Sequence, residues 1–511
     1  MPLELVLYKI IRNSVFNSIG HIWATGVAFV LTPYIVRRLG AEQYGMWILI
    51  LAWLSYVGLL DLGLGEAVIK YLAEYAALKN WVDARQLMGT GLAFYLMLSI
   101  CLVGITWGLR IPVLTIFKIP LSHWEESGVV LLCAVLSLCL ANVAGLFQSA
   151  LIGIQRMDAL NLIAVVTVSV NGLATVVVLE TGHGLIGLAL VTAGTMALKA
   201  IVLWAAVGLL KRELRILSFA FAWRKVRIFL AYGTRIQITN LGAVVNLEAP
   251  KLLLGYFLGL SFVTVYEIGF KVAYSLASLL MVLLVAIVPA ASELATHDDR
   301  MPVRQLYRWA TRYIVLLASP LGSLTIVCAP ALLLVWMGPG YEASIGVVRA
   351  LTVAFTLSIV LTGVGTAVAR GTNRPGLETR YALVVIAVQL ALGILLAMQF
   401  GMTGVLMATV IATLLGSSYF LYTMHRYLGE SILSFVRQGF AVPVLGCLAA
   451  GGLAWLVGIQ LYANLLPITR LGGGITLLVQ SAAFMITYAA VVVKAGYISL
   501  HPQTVSATPP T

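Results

Sequence analysis

Apolar runs of about 20 residues recur from one end of this 511-residue chain to the other. At 1.5 Å per residue, a helix of that length crosses a hydrocarbon core about 30 Å thick. Lipid offers backbone N–H and C=O groups no partner, so a spanning run must satisfy them within itself as a helix or by closing a barrel. The apolar/polar alternation of a barrel strand is absent. Composition points the same way: 61% of residues are hydrophobic and 10% charged, against about 25% charged in soluble domains. The predicted fold is an all-α polytopic membrane protein.

Fourteen transmembrane spans are predicted, near 14–36, 43–61, 87–109, 128–151, 160–180, 185–209, 228–257, 264–291, 309–334, 345–369, 380–400, 403–424, 437–460 and 474–495. The opening MPLELVLYKIIRNS does not read as a cleavable signal, because Lys9 and Arg12 interrupt a short apolar run. Cys101, Cys133, Cys139, Cys328 and Cys447 all fall in apolar spans without a C-x-x-C pair. They read as small apolar packing residues, with neither a disulfide framework nor a metal cluster.

With the N-terminus inside, 22 Lys and Arg fall on the cytoplasmic side and 6 on the other. The positive-inside rule then places both termini in the cytoplasm. This bias accounts for most of the net charge of +13, so nucleic acid is not needed as a partner. The basic run from Lys211 to Arg227, with Trp223, reads as an interfacial segment joining two halves.

The chain also resembles itself. ALIGIQRMDALN after the fourth span parallels AVARGTNRPGLE after the tenth, pairing Gly153 with Gly371 and Arg156 with Arg374 at an offset of 218. Gly184 and Gly187 pair with Gly401 and Gly404 at 217, and Gly40 with Gly259 at 219. Near-equal offsets at separate places indicate a duplication. Each unit has six spans, so the two insert in the same orientation, and alternating access around a central cavity is the usual use of such repeats. The expected domains are an N-terminal six-helix bundle (1–210), a basic cytoplasmic linker (211–227), a C-terminal six-helix bundle (228–430), and two additional helices with a short tail (431–511).

Several segments carry a family resemblance: Leu39-Gly40 followed by Tyr44-Gly45, DLGLGEAVIKYLAE at 61–74, GIQRMDALN after the fourth span, and the G-x-x-G turns opening spans six and twelve. The chain resembles the oligosaccharide flippases of polysaccharide biosynthesis, within the multidrug/oligosaccharidyl-lipid/polysaccharide exporter superfamily. The likeness runs in order over nearly the whole chain. It implies two six-helix bundles with two extra helices. It also implies transport of undecaprenyl-pyrophosphate-linked sugar units, for O-antigen or another surface polysaccharide, from the cytoplasmic to the periplasmic leaflet of the bacterial inner membrane. A polysaccharide polymerase and chain-length machinery are the partners it brings. Its cousins flip the peptidoglycan precursor or export drugs with Na⁺ or H⁺.

A diphosphate-linked sugar has an anionic head, many hydroxyls and an apolar tail, so its path needs fixed cations and polar groups inside the membrane. Intramembrane ionisable residues are therefore the first candidates. At 100° per residue, Asn13, Asn17 and His21 of the first span fall within about 80° of one another. The repeat-equivalent face of the seventh span passes through Asn240 and Lys251. Glu248 lies three residues before Lys251, within pairing reach, and Pro250 is expected to kink the helix there. Arg235 and Asn246 lie on another face of that span, and Arg235 reads either as part of the path or as snorkelling to headgroups. In the eighth span, Glu267 and Lys271 share a face with Tyr274 and Ser278, as a structural pair or as a tuned second cation. Lys199 of the sixth span shares a stripe with Thr192 and Thr195.

Four more arginines are candidates for entry and exit: Arg156 and Arg374 at one side, Arg37 and Arg38 at the other. Membrane anchoring and carbonyl capping are the structural readings of the first two. Asp61 reads as a cap for the segment that follows it, with a gating role as the alternative. No phosphate-binding G-x-x-x-x-G-K-[ST] loop, H-E-x-x-H or clustered His/Cys set is present. The chain is therefore expected to be a transporter without catalytic residues, metal or cofactor, driven by an ion gradient or by product removal. A drug exporter would want an uncompensated carboxylate in the first bundle, and a membrane polymerase a large outside loop; the sequence has neither.

Overall fold

The computed structural model describes the backbone of residues 3–61, 63–214, 222–295, 301–464 and 467–497, and their side chains except at 3–19, 21, 122, 227–239 and 463–464. The described residues form helices and turns and no strand. In order, the helices are α1 (Leu3–Gly58), α2 (Leu64–Ala77), α3 (Trp81–Ile116), α4 (Trp124–Gly153), α5 (Met157–Glu180), α6 (Gly184–Leu210), α7 (Trp223–Phe257), α8 (Leu260–Val285), α9 (Ile287–Leu294), α10 (Met301–Trp336), α11 (Ala343–Ser358), α12 (Val364–Gly371), α13 (Pro375–Leu428), α14 (Ile432–Asn464) and α15 (Arg470–Lys494).

Eleven helical stretches among the described residues are long and apolar enough to cross a membrane. Two of them are each a pair of helices. In α1 the chain breaks at Gly40 (φ 81°, ψ 167°), and in α13 at Gly401 (φ 58°, ψ −133°). Glycine is needed there because a Cβ makes positive φ costly. Dividing both at the glycine and adding the more polar α7 returns the fourteen predicted spans. The protein is multi-pass.

The duplication is visible in the backbone. Left-handed residues recur at Gly40 and Gly259, at Gln155 and Asn373, and at Gly184 and Gly401, with the offsets of 219, 218 and 217 found in the sequence. The short helices α2 and α9 follow the second span of each repeat. The position of Gly153 abuts the Ile69 carbonyl and Leu72 of α2, and that of Gly371 abuts the Val288 carbonyl and Ala291 of α9. Both contacts are the same contact, the glycine shifted by 218 residues and its partners by 219.

Two compact units divide between Thr264 and Val265, within α8. The first therefore includes α7. Its core gathers Leu64 and Leu72 of α2, Leu87 of α3, Leu146 of α4 and Leu203 of α6. Lys225, at the start of α7, is buried: its ammonium donates to Asp83 Oδ1 at 2.7 Å and to the Tyr75 hydroxyl at 2.8 Å. That end of the basic run is thus a protein anchor rather than a lipid-facing one, and Lys211 lies 5.3 Å above the Trp81 ring. The core of the second unit gathers Ala291, Tyr307, Val315 and Phe420. There α14 and α15 pack on α10, where the Tyr488 hydroxyl donates to the Leu316 carbonyl at 3.0 Å. Four cysteines are buried and unbridged, whereas Cys101 is exposed on α3 rather than packed.

Candidate functional site

The most polar spanning helix is α7, and among the described residues its buried lysines are paired. Lys251 Nζ lies 2.9 Å from Glu248 Oε2, with the lysine side chain 6% and the glutamate 18% exposed. Glu248 lies within electrostatic reach of Tyr56 on α1, and Gly255, one turn past Lys251, seats against Leu49 of α1. The helix is continuous through Pro250; the predicted kink is not a break in it. What Pro250 does is withhold an N–H from the carbonyl of Asn246 four residues earlier. The side-chain Oδ1 of Asn246 is also buried without a hydrogen-bond partner. Two acceptors at Asn246 therefore sit near a lysine–glutamate pair: the turn can receive a hydroxyl or a cation, and Lys251 can meet an anion if Glu248 releases it.

A second polar layer joins α5 to α6. Asn171 Nδ2 donates to Thr195 Oγ1 at 2.8 Å, and the half-buried Lys199 follows one turn on. In the second unit the two arms of α13 make a similar bond, with Gln389 Nε2 donating to Thr409 Oγ1 at 3.3 Å, one turn before Thr413, the repeat equivalent of Thr195. On α8, Glu267 and Ser278 are buried and Lys271 half-buried. Glu267 and Lys271 are each engaged by a partner, while Tyr274 stacks on Phe270 at 5.2 Å.

The remaining candidates scatter. Asn240 is exposed. The side chains of Asn17, His21 and Arg235 lie outside the described residues. Arg38 is exposed and paired with Glu180, which also accepts from the Tyr34 hydroxyl at 2.8 Å; Arg37 is exposed beside it. The repeat-equivalent arginines differ. Arg156 is a two-point donor to Asp158 at 2.9 and 3.0 Å, and that bond raises the guanidinium's pKa further. In the second unit Arg370 takes the carboxylate, Glu378, and Arg374 lies exposed, 5.0 Å over the Tyr427 ring. Arg374 is thus the better placed of the two to meet a soluble anion.

Asp61 does not cap α2. Gly63 holds the N-cap position in the left-handed conformation with no side-chain cap. The Asp61 carboxylate ends a 3-10 turn and accepts a hydrogen bond from the Tyr95 hydroxyl of α3. Tyr95→Phe should therefore leave this half-buried carboxylate short of a donor and cost about 1–3 kcal/mol, read as a lowered melting temperature of the purified protein. An unchanged melting temperature would show that water already serves Asp61.

A family model described as "Polysaccharide biosynthesis protein" matches residues 10–295, more than half of the chain. The chain belongs to this family. Among curated relatives, the "Putative O-antigen transporter" of Shigella flexneri is 20% identical over 357 residues, 68% of this chain and 81% of the relative. The "Probable low-salt glycan biosynthesis flippase Agl15" of Haloferax volcanii is 24% identical over 405 residues, 78% of this chain and 80% of the relative. Among solved structures, lipid II flippase MurJ in an inward closed conformation aligns with a TM-score of 0.72 at 12% identity, covering 95% of this chain and 99% of that chain. An inward-facing MATE family transporter of the MOP superfamily aligns at 0.69 and 14% identity, covering 79% and 94%. At these identities the structural likeness is one of fold.

Within this polysaccharide biosynthesis protein, sequence reading missed Asn171, Gln389, Tyr56 and the Lys225–Asp83–Tyr75 anchor. A signal for the first two was available, because Asn171 and Gln389 stand 218 residues apart, the offset of the repeat. Nothing in one chain pairs Lys225 with residues 142 and 150 positions away.

Proposed function

We propose that this protein is a flippase for lipid-linked oligosaccharide. It moves undecaprenyl-pyrophosphate-linked repeat units of a surface polysaccharide from the cytoplasmic to the periplasmic leaflet of a bacterial inner membrane, by alternating access, with both termini in the cytoplasm. Family membership carries this reading, and the names of the two curated relatives support it. The intramembrane polar side chains support a cargo with an anionic head and hydroxyl groups. Lysines are a costly choice in a spanning helix, and the buried Lys251 beside the acceptors of Asn246 suits an anionic head followed by sugar hydroxyls. The paired state of Lys251 is the resting state in this mechanism: diphosphate exchanges with Glu248 for the ammonium, so charge stays compensated through the passage. The exposed Arg374 is the first cation the head meets. A polymerase of the same sugars takes the product, and an Na⁺ or H⁺ gradient or product removal supplies the direction.

The test is flipping in reconstituted vesicles, using a fluorescent undecaprenyl-pyrophosphate sugar scored by reagent access with and without an imposed Na⁺ or H⁺ gradient. Protein-dependent flipping is expected, and its gradient response assigns the coupling. Gradient-driven export of organic cations without any flipping would overturn the proposal in favour of a drug exporter; flipping of the peptidoglycan precursor alone would move the substrate.

A further inference from the structure

In the second unit a cavity of about 320 Å³ opens between α10 and α14. Gln305, Arg308, Thr311 and Arg312 of α10 line it, with Phe435 and Gln438 of α14 opposite. Phe435 is its floor, buried and stacked on Tyr307 at 5.1 Å. None of these residues belongs to the candidate path described above.

Three observations give the cavity a ligand's chemistry. Thr311 is only 2% exposed, and its Oγ1 makes no hydrogen bond among the described residues. A buried hydroxyl left without a partner is costly, and such groups mark a missing ligand or water. Arg304, Arg308 and Arg312 follow one another at intervals of four, so they stack along one side of α10. Among the described residues one carboxylate serves them: Glu430 takes Arg304 at 3.2 Å and Arg308 at 2.5 Å. Arg312 donates instead to the Tyr497 carbonyl at 2.5 Å and lies 4.2 Å from that ring, so among the described residues no carboxylate pairs with it at the cavity wall. Finally, Trp309, Tyr313 and Leu317 are all exposed and, again four apart, form an apolar stripe running from the cavity toward the middle of α10. Tryptophan and tyrosine at the arginine-rich end of a spanning helix mark headgroup depth.

Guanidinium groups, a threonine hydroxyl and two glutamine amides line the cavity, and all can donate, which suits an anion with several acceptor oxygens. The stripe beyond suits an acyl chain. We propose that this cavity binds the phosphate of a membrane lipid, an anionic phospholipid of the bilayer, with its chains laid along Trp309, Tyr313 and Leu317. Basic pockets between helices hold lipid headgroups by this chemistry. The lipid would join α14, which has no counterpart in the repeat, to α10. The proposal stands apart from the flippase reading and from any cargo.

The experiment is thermal unfolding of the full-length protein in detergent, titrated with phosphatidylglycerol, phosphatidylcholine or farnesyl diphosphate. Thr311→Val keeps the side chain's shape and removes a hydroxyl that no protein group uses, so without lipid it should melt no lower than the wild type. Phosphatidylglycerol is expected to raise the wild-type midpoint and phosphatidylcholine not to. The concentration needed should rise about tenfold in Thr311→Val and in Arg312→Gln, as for the loss of one charge-assisted bond. Equal shifts with both phospholipids, or a titration unmoved by either substitution, would overturn the proposal. Binding of farnesyl diphosphate alone, with the same dependence on Thr311, would transfer the phosphate to a prenyl carrier and overturn the bilayer assignment.

Discussion

Lys251→Met should lower the stability of the protein by about 3–5 kcal/mol, because it leaves the Glu248 carboxylate without its buried partner. Both side chains are largely withdrawn from solvent, and the pair is short at 2.9 Å. Charge reversal to Lys251→Glu should be worse, since it sets two carboxylates against each other in a helix packed on α1. Neither single variant tests transport cleanly, because lost flux would follow from lost fold. The informative variant is the double substitution Glu248→Gln with Lys251→Met, which removes both charges at similar volume and should restore most of the stability. Under the proposed mechanism its flipping rate stays at least about tenfold below wild type, as expected for the loss of a charged hydrogen bond to the passing diphosphate. Melting temperature and vesicle flipping measured on all four members of the cycle decide the matter. A double variant that is stable and flips at the wild-type rate would make the pair a structural pillar and remove Lys251 from the mechanism.

Repeat-matched glycines should respond unequally to the same substitution. A Cβ at Gly371 would lie 2.6 Å from Ala291 Cβ and 2.7 Å from the Val288 carbonyl oxygen. At Gly153 the equivalent atoms stand 3.3 Å away. Gly371→Ala must therefore push α9 off α12, at a cost of about 1–3 kcal/mol for forced overpacking, whereas Gly153→Ala asks only for a shift of a few tenths of an ångström. Yield and melting temperature of the two alanine variants, purified side by side, provide the comparison. Equal behaviour would mean that α9 yields as readily as α2.

The spans were legible because length and hydropathy answer to one dominant force, the exclusion of unsatisfied backbone from lipid. The duplication was legible for a related reason: left-handed turns need glycine or a tolerant residue, so Gly40, Gly184, Gly259 and Gly401 punctuate the sequence where the backbone reverses. The Glu248–Lys251 pair was legible in type, its surroundings less so. The i, i+3 spacing of Glu248 and Lys251 marks a pair on any helix, and the pair is there. Helical periodicity, however, says which residues share a face and not what covers that face. Periodicity puts Lys251 on a face expected to be open, and in the structure it is buried. Asp61 misled for a local reason, since a carboxylate before a helix suggests a cap, yet Gly63 already holds that position and Tyr95 is 34 residues away in the chain. Contacts of long sequence separation, such as Lys225 with Asp83, leave no periodic trace at all.

The Lys225 anchor bears on how the chain is made. Asp83 and Tyr75 are synthesised long before Lys225, and the first compact unit runs to Thr264. As translation proceeds from the N-terminus, α7 emerges onto a half that already holds its docking partners, and a buried ammonium fastens it there before most of the second half exists. A split-gene version of this protein is therefore expected to assemble better when cut after α7, in the turn at Leu258 and Gly259, than in the basic loop where the sequence repeat ends.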